Sequence, residues 1–208
     1  AHRVTSRVNN GLFRQLLEAD RDMADLAKAH PAIRGFAELL SRCLSELTEV
    51  LRGQRLGTDV LFPEGNATAV EAIYHGNPLA EWCNELCAAT VVDAVQQLVA
   101  ANRGELIRIF EVGSGTGGTS KTLLHALKPF EAQVEYFYSD VSPMFLKIGK
   151  EFAAEYPFVH VGALDVSSRE SCERWRGSVD IVVAANVLHA TPDLRATLRH
   201  VKQMLRPG

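Results

Sequence analysis

Residues 107–120, IRIFEVGSGTGGTS, run from an apolar stretch straight into glycines, at the point where a strand would hand over to a helix. Gly113, Gly115 and Gly118 fit G-x-G-x-x-G, a spacing that lets a turn follow a strand tightly and brings a ligand against the backbone. Beyond the glycines the chain keeps the same rhythm. Strands are predicted at 107–112, 134–139, 158–163 and 179–184, alternating with helices at 117–127, 143–155, 170–175 and 193–205. Such alternation requires crossover connections, which make a parallel sheet covered by helices. Ser142-Pro143 and Thr191-Pro192 each offer a capping hydroxyl before a proline at a first helical turn.

Upstream, the pattern is helical. Pro31 opens a run in which Ile33, Phe36, Leu40, Leu44, Leu47 and Leu51 recur every three or four residues until Gly53 stops it. Residues 53–66 carry three glycines and a proline and cannot extend that helix. A second helix is predicted from Pro78 to about Ala101, with Leu79, Trp82, Leu86, Val91, Val95 and Leu98 on one side. The chain thus divides into a helical part, residues 1–103, and an α/β part, residues 104–208.

The formal charge is −3, from 22 basic and 25 acidic residues that are interspersed along the chain. That leaves no basic footprint for nucleic acid and no polybasic patch for a membrane surface. The first residues, AHRVTSRVNN, lack the apolar centre of a signal peptide, and no apolar run approaches the roughly 20 residues that span a bilayer. A soluble, cytoplasmic protein is expected. Of Cys43, Cys83, Cys87 and Cys172, only Cys83 and Cys87 lie close, with no second pair to complete a metal site, so thiols buried in a helix stripe are expected.

The glycine turn invites a nucleotide-like cofactor, and its surroundings favour S-adenosylmethionine over a dinucleotide. Glu111, two residues before Gly113, sits in an apolar strand end where a carboxylate needs a donor or a cation. The ammonium group of a methionyl moiety, directly or through water, is such a partner. Polar residues also close the later strands: Asp140 after the second, Asp165 after the third and Asn186 after the fourth. Asp140 could accept both ribose hydroxyls and Asp165 the adenine amino group, with a turn or cap role as the alternative for each. With Gly113, Gly115 and Gly117 they would line one crevice.

EVGSGTGGTS, YFYSDVSPMFL, VDIVVAANVLHAT and LRHVKQMLRPG together resemble the class I methyltransferase domains of modular polyketide synthases, most of all the C-methylating ones. VLRGQRLGTDVLFPEGN and AIYHGNPLAEWCNE resemble the segments that precede that core. The resemblance implies a Rossmann-like α/β sheet of parallel strands with an N-terminal helical lid, in which Tyr74 and Asn84 would face the substrate. Trp82, in an apolar stripe, reads instead as a core anchor. It also implies that His189 is the general base removing a proton from the α-carbon of a β-ketoacyl chain on an acyl carrier protein, among neighbouring synthase domains. The glutamate that orients this histidine in the family lies on a strand after the Pro-Gly turn. The sequence ends at Gly208, so the carboxyl-terminal strands are expected in a longer parent. Methylation of a β-hydroxyl or enol oxygen, a non-catalytic scaffold and a dinucleotide oxidoreductase are the competing readings.

Overall fold

The computed structural model describes residues 23–74, 77–101 and 104–207, with Gly65 and Tyr74 described through their backbone alone. The chain divides into two compact units, Ala1–Glu81 and Trp82–Gly208.

In the first unit, helix α1 covers residues 23–29, followed by α2 (Arg34–Ser45), α3 (Leu47–Leu51), α4 (Gly57–Leu61) and α5 (Thr68–Tyr74). The single helix expected from Pro31 to Gly53 is therefore broken. A 3-10 turn occupies Pro31–Ile33, and the backbone leaves helical geometry at Glu46 (φ −99°, ψ −2°) before Gly53 ends α3 with φ +69°. The leucine stripe is not what α2 buries. Ala37 and Leu39 are buried, whereas Phe36, Leu40, Leu44, Leu47 and Leu51 are exposed. On the face that Gly35 shares with Leu39, α2 comes close to α5, since an added Cβ at Gly35 would stand 2.4 Å from the Ala72 carbonyl oxygen.

In the second unit, helix α6 (Pro78–Ala100) leads into β1 (Ile107–Val112), α7 (Gly118–Leu127), β2 (Val134–Asp140), α8 (Pro143–Glu155), β3 (Val159–Ala163), α9 (Arg169–Glu173), β4 (Ile181–Val183) and α10 (Leu194–Met204). The strands lie in the order β3-β2-β1-β4, all parallel. Ile107 pairs with Val134 and Ile109 with Ile181, so the sheet register starts at the same level in its central strands. The expected elements are present with their ends moved by a residue or two.

Period-two alternation sends β1 side chains to two cores. Ile107 and Ile109 join Ala88, Val91 and Val95 of α6 and Leu123, Leu124 and Leu127 of α7. Phe110 and Val112 join Leu164, Val179 and Met204 on the other face. α6 supplies core residues to this sheet, and the second compact unit begins within α6, at Trp82. The apolar stripe of α6 is buried only in its second half: Val91 and Val95 are enclosed, but Leu79, Trp82 and Leu86 are exposed, and at 59% exposure Trp82 anchors no core. Cys83 is likewise exposed and Cys87 half-buried, contrary to the buried thiols expected of both.

Two helix caps differ from expectation. Asp193, not Thr191, caps α10 by accepting from Ala196 N, while Thr191 donates to Leu188 O at 2.8 Å. Ser142 occupies the cap position of α8 with Pro143 next, but its hydroxyl makes no cap bond. No described helix is long and apolar enough to cross a membrane.

Leu124 is wholly enclosed between α7 and the sheet. Leu124→Ala should lower the free energy of unfolding by about 2–5 kcal/mol with an unchanged denaturant dependence, read from urea unfolding curves.

Candidate functional site

Parallel strands place all their carboxyl ends along one edge, and the conformation of the glycine turn shows how that edge is shaped. Gly113, Gly115 and Gly117 have φ of +62°, +56° and +78°, values that L side chains rarely adopt. Two of the three also have no room for a side chain. A Cβ at Gly113 would stand 2.3 Å from Val187 Cγ2, and one at Gly117 2.6 Å from Phe152 Cε2. A Cβ at Gly115 would meet nothing nearer than Gly113 O at 3.8 Å, so the turn is packed at both ends and open in the middle.

The end of β2 braces this turn. Ser114 N donates to Ser139 O at 2.9 Å, Ser139 N donates to Ser114 Oγ at 3.2 Å, and Ser139 Oγ donates to Glu111 O at 2.6 Å. Asp140, 6% exposed, accepts from Gly115 N at 3.0 Å through Oδ2 and from Ser142 N at 2.8 Å through Oδ1. Each oxygen has taken one donor and retains capacity for another.

Glu111 lies beneath the turn, 1% exposed, and its carboxyl is held by hydroxyls of the protein. Its Oε2 accepts from Tyr136 Oη at 2.7 Å and from Ser120 Oγ of α7. Burial pushes its carboxyl above the usual range against the two hydroxyl donors, and the same burial pushes the Tyr136 hydroxyl up.

The remaining strand ends contribute unequally. Leu164 N donates to Asp140 O at 3.3 Å, which brings the exit of β3 along the edge. The Asp165 next to it is exposed and serves its own turn, accepting from Ser167 N at 2.9 Å and Ser167 Oγ at 2.6 Å; these bonds, the Ser167 hydroxyl foremost, pull its carboxyl below the usual range. Asn186 is exposed with φ +53°, and it starts the loop that lays Val187 over Gly113. His189 follows on a 3-10 turn, Leu188–Ala190, and is exposed. That turn is held from behind: Thr191 Oγ1 donates to Leu188 O, and Thr197 Oγ1 of α10, 1% exposed, lies 2.9 Å from Thr191 Oγ1.

Asn84, expected to face a substrate, clamps the start of α7. Its Oδ1 accepts from Thr119 Oγ1 at 2.9 Å and its Nδ2 donates to Gly118 O at 3.5 Å. The side chain of Tyr74 lies outside the described residues. Sequence reasoning missed the tyrosines and serines beneath the turn and Thr197. A signal was there for the tyrosines, since Tyr136, Tyr138 and Asp140 alternate on one face of β2, and a buried tyrosine hydroxyl needs a partner.

A parallel sheet in the order 3-2-1-4, a glycine turn after its first strand and an acidic residue closing its second define the core of a class I methyltransferase. Residues 110–208 match the family described as methyltransferase domain. The chain is 37% identical over 171 residues to polyketide synthase PksM of Bacillus subtilis, covering 81% of this chain and 4% of that protein. Among solved structures it is similar to the DszA carbon methyltransferase (TM-score 0.83, 38% identity, 91% of this chain and 49% of that one). It is also similar to the trans-methyltransferase CalH in complex with SAH (TM-score 0.67, 28% identity, 92% of this chain and 51% of that one). The chain thus spans a small part of the synthase and about half of each solved methyltransferase.

The raised carboxyl of Glu111 has a consequence for stability. A group that binds its proton more tightly in the fold contributes fully below its unfolded pKa, about 4.3, and loses that contribution as pH rises through the higher folded value. Glu111→Gln removes the titration. Urea unfolding at a series of pH values should show the wild type losing stability relative to E111Q as pH rises from about 4.3 toward neutrality; parallel curves would contradict a buried, titrating carboxyl.

Proposed function

We propose that this chain forms the cofactor-binding part of a carbon methyltransferase domain in a polyketide synthase. Its reaction is methylation of the α-carbon of a β-ketoacyl chain held on an acyl carrier protein. The observation that carries the reading is the packing of Val187 over Gly113, which ties the turn bearing His189 to the glycine turn. A base fixed beside a cofactor turn is what proton removal followed by methyl transfer requires. Similarity to the DszA carbon methyltransferase and to a polyketide synthase supports carbon as the acceptor and a synthase as the setting.

The residues present fit S-adenosylmethionine. The middle of the turn, open above Gly115, admits a cofactor against the backbone, and Asp140 retains acceptor capacity on both oxygens for ribose hydroxyls. Asp165 offers the adenine amino group its Oδ2, since Oδ1 takes both bonds from Ser167. Asn186, assigned to the same crevice, stands on the loop that lays Val187 over Gly113. When bound, the cofactor supplies a methyl group already activated as a sulfonium.

His189 accepts the proton from the carbon between the ketone and the thioester, where two flanking carbonyls spread the resulting charge. Histidine suits that task because its imidazole can take up a proton near neutral pH. The carbanion so formed is the nucleophile for the methyl group that S-adenosylmethionine, held at the glycine turn and Asp140, would supply by exchange of its carbon–sulfur bond for the new carbon–carbon bond. Thr191 and Thr197 keep the His189 turn in place during this exchange.

His189→Ala should lower kcat by about 10²- to 10⁴-fold while leaving the Kd for S-adenosylmethionine within about twofold, measured by product mass and calorimetry. Asp140→Ala should weaken cofactor binding. β-Ketoacyl and β-hydroxyacyl carrier-protein thioesters assayed side by side test the acceptor atom; methylation of the hydroxy substrate alone would replace carbon by oxygen.

A further inference from the structure

The glycine turn can present its backbone to a cofactor only if its peptides face the right way, and glycine on its own does not hold them. One side chain outside the turn fixes the middle peptide. Tyr138 Oη donates to Gly115 O at 2.6 Å while Gly115 N donates to Asp140 Oδ2 at 3.0 Å. Tyr138 and Asp140 are two residues apart on β2 and share a face, so a single strand face grips both polar groups of Gly115. In a planar trans peptide the carbonyl of one residue and the N–H of the next point in opposite directions. With the Gly115 carbonyl drawn to Tyr138, the Thr116 N–H is turned away from it.

The phenol is itself placed by α8. A Cβ at Gly149 would stand 2.5 Å from Tyr138 Cδ1, so the glycine leaves the space that the ring occupies. Phe152 lies 6.0 Å from that ring, centroid to centroid, and also fills the space beside Gly117. Burial, reinforced by the carboxylates of Glu111 and Asp140, pushes the Tyr138 hydroxyl well above the usual phenol range, which keeps its proton available for donation.

We propose that Tyr138 is a positioning residue for cofactor binding: by holding the Gly115 carbonyl it directs the Thr116 N–H outward as a donor to the bound cofactor. It also keeps Gly115 N–H on Asp140, so the same contact steadies the carboxylate assigned to the ribose. Without the hydroxyl the Gly115–Thr116 peptide is free to turn over and set a carbonyl where the donor stood. The proposal rests on the reading of this turn and Asp140 as the S-adenosylmethionine site.

Calorimetric titration of wild type and Tyr138→Phe with S-adenosylmethionine and S-adenosylhomocysteine tests it, alongside kcat at saturating cofactor. The loss of one hydrogen bond should raise Kd about fivefold for both ligands. The value of kcat at saturation should not change, because the reacting groups are untouched. An unchanged Kd for both ligands overturns the proposal, whatever the melting temperature does. Should Y138F not fold, Gly149→Ala displaces the ring without removing the hydroxyl: weakened binding then supports the role, and wild-type affinity overturns it. Absence of any heat from the wild type would instead overturn the cofactor reading itself, and the positioning role with it.

Discussion

β2 lies beside β1 in parallel register, Ile109 opposite Tyr136 and Glu111 opposite Tyr138, and this register sets everything at the carboxyl edge. It brings three residues of one β2 face to the turn in order: Tyr136 beneath it at Glu111, Tyr138 at the Gly115 carbonyl, and Asp140 at the Gly115 N–H. A slip of one residue would send all three to the opposite face, because side chains alternate along a strand. The glycine turn is therefore shaped less by its own sequence than by the strand beside it. Its glycines permit the conformation, and β2 selects it.

The polar groups under the turn form a small, closed accounting of donors and acceptors. The Glu111 carboxylate is enclosed and takes hydroxyls from β2 and α7, so the sheet and the first helix are joined where a purely apolar contact would be indifferent to orientation. A buried carboxylate is costly unless its partners are in place, and that cost makes the arrangement specific. On the opposite side of the edge, Val187 against Gly113 does by steric fit what hydrogen bonds do at β2. The two devices together locate the His189 turn with respect to the glycine turn.

The α/β rhythm was legible in the sequence because strand and helix periods differ, and the expected strands and helices of residues 107–205 are present with small shifts at their ends. The helical part was less legible. Spacing of leucines at three and four marks an amphipathic helix but not what covers it: α2 buries Ala37 and Leu39 rather than the leucine stripe, and it approaches Ala72 through Gly35. Trp82 misled for the same reason: an apolar stripe on α6 continues past the point where the sheet needs it. The partners of Asn84, thirty-four and thirty-five positions away, are joined to it only by the fold.

The α/β class of the chain was fixed by its sequence, because a strand running into spaced glycines and strands alternating with helices are local patterns with local physical causes, whereas the role of His189 rested on family resemblance. The sequence also supplied the glycines at 113, 115 and 117, whose positive φ shapes the turn. The groups that Glu111, Tyr138 and Asn84 meet follow from the folded arrangement alone. Those partnerships join residues from different elements, and their energies depend on enclosure and distance, which no spacing along the chain encodes.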